Sequence, residues 1–202
     1  MTSDTYHHGD LRAALIAEAG RVLAQDGPSA ISLRGLARTL DVSHAAPRYH
    51  FPTIADLHEA LAADGYHRLA THIGDRLPAV DGEAADRFVA AGQAVTDFAF
   101  ANTERYRLMF SYRLFVGDDI GDELGVAASE AYAMLDRAVL GEQSRWHPGD
   151  AVDDRSLGAW SLVHGAIMLW IEGQFPLLID EAQFRSMLDH TLAAVADSLA
   201  AG

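Results

Sequence analysis

The sequence predicts an all-α protein, with a helix-turn-helix unit at the N-terminus and a larger helical body behind it. Apolar residues recur at helical spacing along almost the whole chain, and no alternating segment is long enough to form a useful strand. Half of the 202 residues are hydrophobic, which is enough to bury a substantial core. Two short helices joined by a three-residue turn, with a longer helix on either side, predict the helix-turn-helix unit.

The composition excludes several classes of protein. Cysteine is absent, so the chain carries no disulfide, thiolate metal site or thiol nucleophile. No apolar run approaches the roughly 20 residues that span a bilayer, and the first ten residues lack the basic and apolar regions of a signal peptide. Lysine is absent too, so all 15 basic residues are arginine, whose planar fork suits phosphate and guanine. We therefore expect a soluble cytoplasmic protein with no membrane partner.

The charge is unevenly distributed along the chain. The formal net charge is −14, yet residues 1–51 hold five arginines and five acids, which cancel. All of the excess acid lies in the remaining 151 residues. Because physiological salt screens charge beyond about 8 Å, the acidic body does not exclude a nucleic-acid partner for the neutral N-terminal segment.

The first two helices are predicted from their caps. The first begins near Asp10 and ends at the sequence DGP, residues 26–28, where glycine and proline stop a helix. The second begins after Ser32, and Arg34 and Arg38 project from the side opposite its apolar stripe. That stripe consists of Leu33, Leu36, Ala37 and Leu40.

The segment VSHAAPRYHF, residues 42–51, is predicted to form the second short helix of the unit. Ser43 is its expected N-cap, and Pro47 lacks the amide that would bond back to Ser43, so the helix should be short. Phe51 is expected to anchor the segment to the core. Thr53 and Asp56 resemble a capping box that opens a long helix to about residue 77.

The rest of the chain is predicted to be a helical body. The sequence PAVDGEA, residues 78–84, resembles a linker and is the best candidate for a domain boundary. Further helices are predicted at about 84–101, 104–115, 121–141, 154–175 and 181–200. The predicted domains are therefore a head at 1–52, a connecting helix at 53–77 and a body at 78–202.

The sequence ISLRGLARTLDVSHAAPRYHFPTIADLHEAL resembles the DNA-binding head of the TetR family of one-component transcriptional regulators. The likeness covers residues 6–70. The body resembles a branch of that family with a tryptophan-histidine-glycine motif, through VTDFAFANTERYRLMFS at 95–111 and WSLVHGAIMLWIEG at 160–173. The resemblance implies a homodimer whose heads bind the two halves of a palindromic operator and whose bodies hold a small effector.

The resemblance also assigns residues to double-stranded DNA. In a helix-turn-helix unit the second short helix enters the major groove with its N-terminal end. The implied DNA-binding residues are Arg34, Ser43, His44, Ala45, Ala46, Arg48, Tyr49, His50 and Thr53.

Three positions depart from the family pattern. Members commonly have glycine at the turn, where this chain has Asp41, a residue that tolerates the left-handed conformation. Arg48 stands where a tyrosine commonly contacts phosphate, and a charged contact there would be stronger. Ile54 replaces a common lysine, so one phosphate contact would be lost.

Two sets of body residues are candidate sites. A ligand cavity between helices would be lined by Phe98, Tyr106, Met109, Phe110, Tyr132, Trp160, His164 and Met168, with His164 as its polar handle. A dimer interface on the last two helices would use Ile167, Ile171, Phe184, Leu188, Leu192 and Val195. In each case the alternative is that the side chains fill the core of a single chain.

These observations predict a ligand-responsive transcriptional regulator, which we expect to be a repressor relieved by a small, largely apolar effector. The sequence contains no HExxH, Gly-rich phosphate loop or nucleophile elbow, so we expect no enzyme, metal or cofactor. The alternative is a ligand-binding or scaffolding helical dimer whose head no longer binds DNA tightly.

Overall fold

The structure is a computed structural model that describes residues 11–77, 84–111, 122–147 and 150–200. The chain divides into two compact units, and each is treated by itself. The first unit comprises Met1–Gly65 and Asn102–Gly125, and the second comprises Tyr66–Ala101 and Val126–Gly202. The predicted linker at 78–84 lies outside the described residues, apart from position 84.

Nine α-helices account for most of the described residues, and no strand occurs among them. In chain order they are α1 Leu11–Asp26, α2 Leu33–Thr39, α3 Ala46–His50, α4 Ile54–Arg76, α5 Ala84–Ala101, α6 Thr103–Met109, α7 Asp122–Leu140, α8 Asp154–Ile171 and α9 Glu181–Ala200. The all-α prediction is confirmed, and α4 begins in the first unit and ends in the second.

The first unit is organised around the turn between α2 and α3. Ser32 caps α2 by accepting a hydrogen bond from the Gly35 amide at 3.1 Å, as predicted. Asp41 adopts a left-handed φ of 52°, and the Val42 amide donates to the Ala37 carbonyl at 3.0 Å. This pattern ends the helix by satisfying a free carbonyl, and it confirms that aspartate replaces the usual glycine without losing the turn.

An apolar core holds the helix-turn-helix unit in place. Phe51, which follows α3, is 2 % exposed and packs into this core, so its predicted anchoring role is confirmed. The buried members of the core are Leu11, Leu15, Ala19, Leu23, Ile31, Leu36, Phe51, Leu57, Ala60, Leu61 and Leu108. Leu108 belongs to α6, which packs on α1, and this explains why residues 102–125 group with the head rather than with the body.

The capping box of α4 forms as predicted. The Asp56 amide donates to Thr53 Oγ1 at 3.2 Å, and the Thr53 amide donates to Asp56 Oδ2 at 2.6 Å. Two backbone donors at the helix start are thereby satisfied reciprocally. The first turn of α4, directly after the helix-turn-helix unit, is therefore fixed by local contacts.

The second unit is built on the packing of α5 against α9. Gly92 permits the close approach, because a Cβ atom at this position would lie 2.7 Å from Leu192 Cδ2. The prediction that α8 extends to residue 175 is wrong: the helix ends at Ile171, and Gly173 takes a φ of 78°. The Gln174 amide then bonds to the Leu169 carbonyl at 2.9 Å, which closes the helix end.

The predicted helix at 104–115 is also shorter in the structure. Its hydrogen-bonded part, α6, ends at Met109, and Phe110 caps it. Most of the remaining predicted segment, from residue 112, lies outside the described residues.

Candidate functional site

The surface of α3 is fixed from beneath by two buried residues. Pro47 is buried on the inner side of the helix, and Phe51 follows its last turn. The Ser43 hydroxyl accepts a hydrogen bond from the Ala46 amide at 3.2 Å, so Ser43 caps the turn that leads into the helix. The helix itself begins only at Ala46, two residues later than the predicted cap implies.

Most of the predicted DNA-binding residues lie on the exposed side of this segment. Tyr49 is 88 % exposed, more than any other tyrosine that the structure describes, and Arg48 is exposed beside it. The exposed members of the predicted set are Arg34, Ser43, His44, Ala45, Arg48, Tyr49 and Thr53, while Ala46 and His50 are half-buried. The side chains of Arg48 and Tyr49 on α3, and of His44 in the turn before it, are therefore exposed to solvent rather than packed in the core.

His50 has different surroundings from the others. Its ring meets the Tyr49 ring edge-on, with 5.3 Å between the centroids. It also lines a groove of about 200 Å³ that contains the acids Asp56, Glu59 and Glu123. His50 thus lies beside carboxyl groups of its own unit, which distinguishes it from exposed His44.

Arg12 is a residue of this region that the sequence analysis did not single out. Its guanidinium is 2.5 Å from Glu123 Oε2 and lies over the Phe51 ring, 5.4 Å from the centroid. Because its partner is 111 positions away, no local pattern indicates this pair. The pair joins α1 to the start of α7 within the first unit.

A second ion pair secures α6 within the same unit. Arg105 donates to Asp64 Oδ2 at 2.6 Å and to the Leu61 carbonyl at 3.2 Å, and both side chains are largely buried. A charged pair with this burial holds its two helices in one register. The side chain of Arg105 also passes within 2.4 Å of the position that a Cβ atom on Gly20 would take, so the glycine is needed there.

The predicted effector-pocket residues divide between the two units. Tyr106, Met109 and Phe110 belong to the first, where Tyr106 and Met109 are fully buried. Phe98, Tyr132, Trp160, His164 and Met168 belong to the second.

A small apolar cavity lies among the described residues of the second unit, next to a predicted pocket residue. Its volume is about 20 Å³, and Trp160 lines it. The other lining residues include four small ones, Ala91, Gly92, Ala138 and Ala159, which give the space a narrow cross-section. A cavity of this size holds about one water molecule, so it is too small for a drug-sized ligand in this conformation.

His164 stacks on Trp160, with 5.1 Å between ring centroids and 23° between the planes. Burial disfavours the charged imidazolium and lowers the pKa of His164 below its ordinary value. The same cause lowers the pKa of His58 on α4, whose buried Nε2 has no hydrogen-bond partner among the described residues. Both imidazoles are therefore favoured in their neutral form.

These depressed pKa values predict that acid destabilises the fold before the carboxyl groups titrate. Because the unfolded chain binds protons at these histidines more readily than the folded chain, the free energy of unfolding should fall as pH drops below about 6.5. Urea unfolding at pH 7.5 and 5.5 measures the free energy of unfolding at each pH. The His164→Gln variant should show a smaller difference between the two values. His190→Gln, an exposed change on α9, is the control, and a difference unaltered by His164→Gln would contradict this origin.

The predicted dimer-interface residues lie in the core of the second unit. Ile167, Ile171, Phe184, Leu188 and Leu192 are buried within the single chain, and Val195 is half-buried. Their apolar faces are covered by helices of the same chain, such as α5 against Leu192. Burial of these five side chains in the single chain is what the alternative of a monomer core predicts, and the dimer interface stays a prediction.

A buried carboxyl group is the least expected feature of the second unit. Asp136 on α7 is 1 % exposed and accepts hydrogen bonds from Ser156 Oγ at 2.6 Å and Ser144 Oγ at 2.7 Å. The Tyr132 hydroxyl is buried nearby, close to Ser156. Burial, and then the charge of Asp136, raise the pKa of Tyr132.

A polar groove on the same unit is internally neutralised. Arg76 and Arg185 both contact Asp97, at 3.0 and 2.6 Å, and Arg185 also pairs with Glu181. Burial raises the pKa of Asp97, but the hydrogen bonds from Arg185 and Arg76 outweigh it and hold that pKa below its usual value. Both arginines are therefore paired with acidic side chains of the same chain.

The described ranges contain neither a candidate metal site nor a membrane-spanning helix. No group of three or more His, Cys, Asp or Glu side chains there could hold a metal ion. None of the helices in those ranges is long and apolar enough to cross a membrane.

Comparison with known proteins identifies the family. The model of a protein family described as tetracyclin repressor-like, C-terminal domain, matches residues 88–195, a range that includes both body stretches noted in the sequence. No curated protein matches the chain.

Solved structures resemble the chain over nearly its full length. A protein of unknown function from Rhodococcus sp. RHA1 is 31 % identical, with a TM-score of 0.74 over 98 % of this chain and 97 % of that one. A tetR-family regulatory protein from Rhodococcus RHA1 is 20 % identical, with a TM-score of 0.62 and 98 % of both chains covered. A TetR variant from Acinetobacter baumannii AYE, in complex with minocycline, is 16 % identical, with a TM-score of 0.59, covering 92 % and 94 % of the two chains. With its all-helical fold and its helix-turn-helix head, the chain belongs to the TetR family of transcriptional regulators.

Proposed function

We propose that this regulator is a repressor that binds palindromic operator DNA as a homodimer and releases it when a small effector binds to the body. The observation that carries the proposal is the exposed face of α3 and its preceding turn, held rigidly by buried Pro47 and Phe51. The chain acts by binding rather than by catalysis, and as a DNA-binding protein it works in the cytoplasm. The head at 1–52, the connecting helix at 53–77 and the body at 78–202 are its proposed functional divisions.

The chemistry of the α3 surface supports recognition of DNA. The small side chains of Ala45 and Ala46 allow the backbone to approach the floor of the major groove, where base edges are read. Exposed Arg48 provides a forked cation for phosphate or guanine. Arg34 on α2 lies on the exposed side of the same unit and supplies a further cation for the backbone.

The dimer face that we propose lies on the outer sides of α8 and α9 rather than on their buried stripes. Leu157 on α8 is 50 % exposed and Met187 on α9 is 59 % exposed, which places apolar side chains at the surface of each helix. Gly158 and Gly165 face open space, since a Cβ atom on either would meet no atom within 4 Å. Two glycines seven residues apart share one helix face, so a second helix can approach closely there.

The substitution Gly165→Leu should affect folding of the single chain and association of two copies in opposite directions. In the single chain the added side chain enters open space and replaces a helix-breaking glycine, so folding should become more favourable by about 0.5–1 kcal/mol. In a dimer the same side chain holds the partner away, and the dissociation constant should rise at least about tenfold.

Sedimentation equilibrium measures the dissociation constant, and urea unfolding measures stability. Gly158→Leu, which lies two turns away on the same helix face, should have the same two effects as Gly165→Leu. A dimer that tolerates both substitutions would contradict this interface.

The effector is proposed to enter the second unit at its small cavity, where Trp160 and His164 stack. A ligand shifts a conformational equilibrium only by its preference for one state. Because the space of about 20 Å³ has room for roughly one water, a bound effector must select a body with a larger cavity. This preference for one body conformation is what would release the DNA.

Salt-dependent DNA binding tests the function directly. The purified chain is titrated by fluorescence anisotropy against the duplex upstream of its own coding region and against a scrambled duplex, at several salt concentrations. Preference for the first duplex with a steep salt slope supports the regulator. If neither that duplex nor a genome-wide fragment selection yields a bound sequence, the alternative of a scaffolding dimer is favoured, and exposed Ile54 becomes its first explanation.

A further inference from the structure

The buried carboxyl group of Asp136 makes no ion pair in the part of the chain that the structure describes, and Arg155, which acts on its charge from a distance, is itself paired with Asp153. Its two polar partners there are neutral hydroxyl groups, Ser156 on one oxygen and Ser144 on the other. A buried carboxylate is costly unless a positive charge or several donors balance it. Each oxygen has taken only one of the roughly two hydrogen bonds that it can accept, so the group retains capacity for a donor from outside the chain.

Tyr132 lies near this carboxyl group, and Trp146 packs against the Tyr132 ring. Tyr132 is one helical turn before Asp136 on α7, and Trp146 follows Ser144 by two residues. The two rings meet edge-on with 4.6 Å between their centroids. Both residues are half-buried, so the group formed by Asp136, Ser144, Ser156, Tyr132 and Trp146, the aromatic–carboxyl cluster, reaches the surface of the unit. Aromatic faces beside a carboxylate form the surroundings in which organic ammonium groups bind.

The cluster continues directly into the apolar cavity. Ser156 contributes its hydroxyl to the cluster and also lines the cavity, where it is the polar member among eleven lining residues. The small residues Ala91, Gly92, Ala138 and Ala159 keep that space narrow. An unbranched apolar chain fits such a slot better than a bulky ring system does, provided that the slot lengthens around it.

We propose that the effector is an amphiphilic organic cation, whose ammonium group binds the aromatic–carboxyl cluster and whose slim apolar chain enters the adjoining cavity. The proposal rests on the proposed function, because it names the chemical class of the ligand for the same body. An ammonium group offers up to three N–H donors, which match the free positions on the two Asp136 oxygens and the lone pairs of Ser156.

Binding of three matched probes tests the charge requirement without any DNA. Hexylammonium, 1-hexanol and hexanoate share one alkyl chain and differ in the charge of the head group. Isothermal titration calorimetry of the full chain should show hexylammonium binding at least tenfold more tightly than 1-hexanol, with hexanoate weakest. In Asp136→Asn that preference should disappear while the affinity for 1-hexanol stays the same. Asp154→Asn, which removes an exposed acid at the start of α8, should keep the preference.

A second variant covers the possibility that Asp136→Asn does not fold. Trp146→Leu changes a half-buried loop residue and should weaken hexylammonium binding about threefold or more, with 1-hexanol unaffected. The inference is overturned if 1-hexanol binds as well as hexylammonium, if the folded variants keep the full preference, or if none of the probes binds. Since no operator is used, these outcomes are separate from failure of the chain to select DNA, which would overturn the repressor proposal alone.

Discussion

Leu192→Ala is expected to lower the free energy of unfolding by about 2–5 kcal/mol, the range for emptying a well-packed aliphatic site. Leu192 is fully buried and packs against Gly92 on α5, where no side chain is available to fill the space. The loss therefore combines the hydrophobic transfer term with a cavity that the surroundings cannot close. Urea unfolding measures it.

The matched control is Met187→Ala, an exposed apolar residue on the same helix. This change should cost the single chain less than about 0.5 kcal/mol, but it should weaken association if the outer face of α9 joins two copies. Repeating both unfolding curves at two protein concentrations separates the effects, because only association depends on concentration. If Leu192→Ala lowered the free energy of unfolding only slightly but made the dimer dissociate, the result would support the original prediction that Leu192 lies in the dimer interface.

Arg48→Ala is expected to weaken operator binding at least about tenfold, which corresponds to roughly 1.4 kcal/mol or more and matches the loss of one charge-assisted contact. Arg48 is exposed on α3, so its removal leaves the core of the head intact. If the contact is to phosphate, the slope of log K against log salt should fall by about one.

Arg155→Ala provides the charge-matched control for that experiment. Arg155 lies on α8 in the second unit and pairs with Asp153, so its loss changes the net charge equally without touching the head. Equal weakening in both variants would show that only overall charge matters. Unchanged affinity in Arg48→Ala at low salt would remove Arg48 from the interface.

Helix boundaries were predictable where the stop and start signals are local. Ser32 and the Thr53–Asp56 capping box act within four residues, so the sequence alone indicates where α2 and α4 begin. Asp41 was predictable for the same reason, because its left-handed φ depends on its own side chain and its immediate neighbours. The end of α8 was missed because Gly173 takes a left-handed φ and stops the helix four residues before its predicted end.

The sites were less predictable because they depend on residues far apart in the chain. Apolar periodicity correctly marked Ile167 and Leu192 as the inward face of a helix, but it cannot say whether the same chain or a second copy covers that face. The partners of Asp136 lie 8 and 20 positions away, so in sequence it resembles one more acid on an acidic body. A list of aromatic residues likewise cannot show that the space between them is nearly filled.

The division into two units determines what optical experiments on this protein report. All three tryptophans, Trp146, Trp160 and Trp170, belong to the second unit. Intrinsic emission therefore follows the melting of the body, whereas the helical circular dichroism signal is collected from the whole chain. Because α4 is one continuous helix that belongs to both units, superimposable curves from the two signals would indicate a single cooperative transition. A helical signal that is lost before the emission changes would instead reveal a head that melts on its own.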